Sequence, residues 1–143
     1  MKSLLIVLFA FALLNAVAIK ISFTNLKCQE FHPEFAFFQK CRLVVVKRGV
    51  VALNVHVKLL KVPVNNVSFK IIKLFLDVIM KESNLNHSCP YDHDIIVDNL
   101  ILDEHKFSFF PLPRGDYMFQ LKVAAYNDWK ALVRAYVNID GDL

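Results

Sequence analysis

The sequence predicts an all-β protein built as an antiparallel sandwich, and three observations carry that prediction. Apolar and polar residues alternate at a period of two in several separate runs, turn signals stand between the runs, and helical spacing is confined to one segment. In VVALNVHVKLL, Val51, Leu53, Val55, Val57 and Leu59 fall on one face, and Ala52, Asn54, His56 and Lys58 on the other. DYMFQLKVAAY sets Tyr117, Phe119, Leu121, Val123 and Ala125 against Met118, Gln120 and Lys122. ALVRAYVNI sets Ala131, Val133, Ala135, Val137 and Ile139 against Arg134 and Asn138. FFQKCRLVVVK and DIIVDNLIL are apolar and β-branched enough for strands, with a less regular alternation. Strands with one apolar and one polar face, joined by short turns, pack as two antiparallel sheets.

The turns follow the same logic. Lys47-Arg48-Gly49 separates two strands closely enough for a hairpin, Pro111, Pro113 and Gly115 punctuate the approach to another strand, and Asn127-Asp128 makes a short turn before the last. One segment breaks the period. In IIKLFLDVIMKES, Lys73, Asp77 and Lys81 recur every four residues among apolar neighbours, which predicts a helix with a narrow polar stripe and a broad apolar face. That face either packs on the sandwich core or forms a flap at a lipid-filled mouth, and periodicity does not separate the two.

The N-terminus reads as a secretion signal over residues 1–18. A positive start is followed by the apolar LLIVLFAFALLNAVA, ending in the small-x-small pattern Ala16-Val17-Ala18. Residues 19–143 then form a single domain, long enough for a real core. The net charge of +4 is spread without a block of lysines or arginines, which argues against nucleic acid as a partner. Three cysteines, Cys28, Cys41 and Cys89, leave one unpaired in an oxidising compartment. Cys28 and Cys41 sit on successive strand candidates, where an antiparallel turn would bring them into bridging range and leave Cys89 as a free thiol; pairing of either with Cys89 is the alternative. Asn66-Val67-Ser68 and Asn86-His87-Ser88 are glycosylation sequons.

HSCPYDHDII, residues 87–96, concentrates polar chemistry. His87, Cys89, Asp92 and His93 could suggest a metal, but the second ligand pair that closes a structural zinc site is missing, and Pro90 disfavours a helix across the segment. A Cys–His nucleophile pair lacks an orienting third group, and Gly-x-Ser-x-Gly, His-Glu-x-x-His and phosphate-loop patterns are absent from a chain with only 3 glycines. The segment therefore reads as a loop in which Asp92 or Asp94 bonds nearby backbone N–H groups. His56 reads as an exposed polar residue and Trp129 as a packed anchor beside a turn.

FTNLKC (23–28), KCRL (40–43), VKLLKVPVNNVS (57–68), SNLNHSCPYDHDIIVDNL (83–100) and FPLPRGDYMFQLKVAAYNDW (110–129) together resemble an insect-expanded family of small secreted proteins of unassigned function. The likeness runs in order through nearly all of residues 19–143. That family is similar to the ML lipid-recognition sandwiches, which include the ganglioside activator, and to the CheB group of insect chemosensory proteins. The resemblance implies an immunoglobulin-like sandwich that parts its sheets to admit a hydrophobic small molecule or lipid, and roles that include modulation of a membrane receptor or channel. Relatives carry a further hairpin and a fourth cysteine after the segment matching NNVS; here Phe69-Lys70-Ile71 runs almost straight into KLFLDVIMKESN. Residues 67–82 are then expected to form one short strand passing into a helix over an apolar gap. Lys73, Asp77 and Lys81 would face water, and Phe75, Leu76, Ile79 and Met80 would face inward. An edge left open by the shortening would favour self-association.

The functional expectation is a secreted, non-enzymatic binding protein without a cofactor or metal, holding a lipid or hydrophobic semiochemical between its sheets. Val55, Val57, Phe75, Ile79, Phe119, Leu121, Val123, Val133 and Val137 are the residues expected to line its cavity or core. The rivals are a solid sandwich acting as an interaction module on a receptor or channel, and a shortened product without function.

Overall fold

The period-two runs become strands, and they pair only as antiparallel neighbours. The computed structural model of the chain describes residues 19–107 and 112–141; the segment 1–18, read as a signal, and Pro111 lie outside them. In chain order the elements are β1 (Ile19–Glu30), β2 (Ala36–Lys47), β3 (Val50–Leu59), β4 (Val67–Lys70), α1 (Lys73–Lys81), β5 (Ile95–Ile101), the one-turn α2 (Glu104–Phe107), β6 (Gly115–Ala125) and β7 (Asp128–Gly141). One sheet has the order β1-β7-β6-β4 and the other β2-β3-β5. The expected all-β antiparallel sandwich is what forms.

Two hairpins are set by their turns. Arg48-Gly49 links β2 to β3, with Lys47 opposite Val50 and Gly49 at φ 75°, where a side chain would be strained. Tyr126 and Asn127, both at positive φ (53° and 58°), make the two-residue turn between β6 and β7. The turn thus lies one residue earlier than the sequence suggests, because Asp128 already pairs with Ala125.

Bulges explain the irregular strands. Thr24 is an extra residue on β1 opposite Val137–Tyr136, and Gln39 is one on β2 opposite Val57–His56. Each shifts the alternation by one, so that Phe23 then Leu26 and Cys28, and Phe38 then Cys41 and Leu43, stay inward. On β5, Asp98 and Asn99 together face Asn54 between the pairs Val55–Val97 and Leu53–Leu100. Asn99 takes φ 51°, and its N–H donates to Asn54 Oδ1 at 3.0 Å. The reading of β3 as a strand with one polar face is corrected here, since Ala52 and Asn54 are as buried as Leu53 and Val55.

The two sheets meet over a packed core of Phe23, Leu53, Val97, Leu100, Val137 and Ile139, with Phe75 and Val78 contributed by α1. Residues 67–81 follow the expected course. β4 is a short edge strand paired to β6, α1 exposes Lys73, Asp77 and Lys81, and Phe75 and Val78 are its buried residues, with Leu76, Ile79 and Met80 half-buried. Ile72 before it supplies no side-chain cap, so the helix depends on this packing. Past α1 the chain reaches the outer edge of β5, where Ser83 bridges Val97 and Asn84 bonds Ile96 on both backbone and side chain. That edge is covered over those residues rather than left open.

β1 and β2, although successive, lie in opposite sheets. The Cys28–Cys41 disulfide, with Cα atoms 6.3 Å apart, therefore ties sheet to sheet along one flank, rather than strand to hairpin partner. Among the described residues Cys89 is the free cysteine. No helix among them is long and apolar enough to cross a membrane.

Candidate functional site

The strands run so that the end of β3 and β6 and the start of β2, β4, β5 and β7 gather at one end of the sandwich. There the sheets enclose a cavity of about 110 Å³. Its walls are apolar side chains of both sheets, including Val55, Val57, Leu121, Val123 and Val133, with Phe35 and Phe38 from β2 and its approach. A second space of about 60 Å³ adjoins it toward the packed core, lined by Phe75 and Phe119. Val55, Ile79, Val97, Leu121 and Val133 line both spaces. The Phe75 and Phe119 rings stack at 3.7 Å.

Eight of the nine expected cavity residues thus line one space or both. Val137 lines neither and, at 1% exposure, belongs to the packed core. The sequence reading missed Val64, Leu85 and Tyr91, because they lie in connections with no strand period. Val64 reaches the wall through an isolated bridge to Tyr91, with N–H to carbonyl bonds of 2.8 and 2.9 Å.

The segment 82–94 is the third wall of the cavity. Leu85 and Tyr91 are buried in it, and Tyr91 donates its hydroxyl to the His87 carbonyl at 2.5 Å. Burial, and then the neighbouring Cys89, push the Tyr91 phenol above its ordinary value. His87 and His93 approach through their Nε2 atoms at 2.7 Å. His93 Nδ1 donates to the Asp94 carbonyl at 2.8 Å, which the Asn84 amide also reaches at 2.7 Å, and His87 Nδ1 donates to the Ser88 carbonyl at 2.7 Å. Among the described residues no group of three or more His, Cys, Asp or Glu converges as metal ligands would. Asn66 and Asn86, the sequon asparagines, are exposed.

Asp94 closes this segment onto β3. Its Oδ2 accepts from His56 Nε2 at 2.9 Å and Lys58 Nζ at 3.3 Å, and its Oδ1 accepts from the Leu59 N–H at 3.2 Å. These donors, His56 foremost, hold its carboxyl below the ordinary carboxylate value despite partial burial. Asp94 does bond backbone, as the loop reading required, but across to β3 rather than within the loop. His56 is half-buried against it instead of exposed.

One charged side chain enters the cavity wall. Val123 pairs with Ala131 and Ala124 with Trp129, which leaves Lys130 as the extra residue of a bulge on β7. Its side chain lies along the cavity with 15% exposure, and its Nζ donates to Asp128 Oδ2 at 2.7 Å and sits 4.9 Å from the Phe35 ring centre. Asp128 Oδ2 also receives His32 Nε2 at 3.0 Å, and the Lys130 bond is the main reason its carboxyl is held low. The same bulge turns Trp129 outward, 43% exposed beneath the Lys122 ammonium, so Trp129 is not a packed anchor.

A two-sheet antiparallel sandwich with an apolar cavity at one end is the class these features define. The chain belongs to the family described as Protein of unknown function (DUF1091), which it matches over residues 42–119. No curated protein and no solved structure matches it significantly. The matched span runs from β2 into β6 and includes the whole 82–94 wall.

Proposed function

We propose that this protein is a secreted, non-enzymatic carrier that holds a lipid or similar hydrophobic small molecule between its sheets. The observation that supports this most is the cavity of about 110 Å³, walled by apolar residues of both sheets and by Leu85 and Tyr91. Such a cavity binds by removing apolar surface from water, at about 25 cal/mol per Å². It lies below the roughly 300–1,000 Å³ of drug-sized pockets, so a chain entering it must also use the adjoining space, with side chains between them moving aside.

The resemblance of the sequence strings above to a family similar to ML and CheB proteins supports the same reading. Secretion rests on the signal pattern of residues 1–18. Native mass spectrometry of protein secreted from insect cells tests the reading. A co-purified lipid, lost in a Val133→Trp variant that fills the cavity, is the expected result. Recovery of empty protein that also ignores added lipids would favour the rival role, a solid module acting on a membrane receptor or channel.

A further inference from the structure

The bulge at Lys130 shifts the alternation of β7 beside the cavity. Regular alternation would place Trp129 and Ala131 inward and Lys130 in water. One inserted residue lays the stem of Lys130, in place of the Trp129 ring, along a cavity whose exposed surface is apolar, with the ammonium held beside Asp128. Burying an ammonium is costly unless it is paired, and Lys130 is paired with Asp128. One N–H goes to Asp128 and the charge rests near the Phe35 ring, while Asp128 Oδ2 is already shared with His32. His32 is in turn held by Glu34 at 3.0 Å. A lysine has three donors, so Lys130 keeps capacity for an acceptor at the cavity mouth beside Asp128.

We propose that Lys130 binds the head of the ligand, and that the ligand is a single-chain amphiphile ending in a carboxylate. This rests on the carrier reading. The stem of Lys130 covers apolar wall while its ammonium stays near the mouth, so a chain lying between the sheets ends beside it. The neighbouring Asp128 favours a head of single charge, because a dianion would meet its carboxylate. The narrow space of about 110 Å³ continuing into about 60 Å³ suits one chain rather than two.

The test is calorimetric titration of the delipidated, disulfide-intact protein with dodecanoate, dodecanol and dodecyl phosphate at neutral pH. Dodecanoate should bind about tenfold or more tighter than dodecanol, the gain from a charge-assisted hydrogen bond, and tighter than the phosphate. Lys130→Met should still bind dodecanol, which reports an intact cavity, and should bind dodecanoate no more tightly than that variant binds dodecanol. Lys130→Arg should keep the preference, and Asp128→Asn should strengthen dodecanoate binding by removing the competing carboxylate. Lys122→Met, on the outer face, should change nothing. Equal binding of acid and alcohol by the wild type, a Lys130→Met variant that keeps the preference, or tighter binding of the phosphate would overturn the assignment while the carrier reading stands. Binding of none of the three would overturn both.

Discussion

At the scale of single residues, Asp94 joins the loop that walls the cavity to the middle strand of the smaller sheet. Because its carboxyl is held low by His56, Leu59 and Lys58, folding stabilises the ionised form. That contribution is complete above the usual aspartate value of about 3.9 and is lost as pH falls through the lower folded value. Asp94→Asn should therefore melt at lower temperature than wild type at pH 7, with the gap shrinking as pH falls below about 4. Thermal melts across that range check it, and a constant gap would count against the assignment. Such residues were poorly legible in the sequence. Asp94 and His56 are 38 positions apart, and nothing in either neighbourhood names the other. The aim of Lys130 was not legible at all, since it depends on a bulge that composition does not mark. Val137 read correctly as apolar and inward, but whether an inward residue meets a cavity or packed atoms depends on the opposite sheet.

Among the elements, β6 and β7 were the most legible, because a half-buried strand writes its period directly into the sequence. β2 and β5 looked irregular for a physical reason: Gln39 and the Asp98-Asn99 pair insert residues that restore inward phase only when counted against a partner strand. The Asn54 side chain supports the second of these. Asn54→Ala leaves the Asn99 N–H without that acceptor and should cost roughly 1–3 kcal/mol, measured by urea unfolding. The helix was legible from its charge spacing, yet its weak start was not. Ile72 is 56% exposed, has extended backbone and makes no cap bond, so Ile72→Asp should stabilise by about 1 kcal/mol. Phe75→Ala, by contrast, removes a buried ring stacked on Phe119 and should cost about 3–5 kcal/mol.

For the molecule as a whole, pairing β1 with β7 brings the first and last strands together, and this long-range choice places Cys28 and Cys41 in different sheets. The pairing of these cysteines could be reached from spacing, but their placement could not, because an antiparallel turn and a crossing between sheets leave the same 13-residue separation. Closing a loop of that length stabilises by about 3 kcal/mol, so reduction should lower the denaturation midpoint by a corresponding amount. The two flanks of the sandwich are thus closed by different means, a covalent bond at β1 and β2, and the packing of α1 and residues 82–94 between β4 and β5. A body fastened in this way behaves as a hinge with a fixed spine. Breathing motions should leave the cystine flank still and open the helical flank, giving cargo one direction of entry and exit. Hydrogen–deuterium exchange should then show the amides of β4 and α1 exchanging well ahead of those in β1 and β2 around the cystine. An occupant lying between the sheets should slow that outer flank most, and uniform slowing across both flanks would mean that the sheets part without a spine.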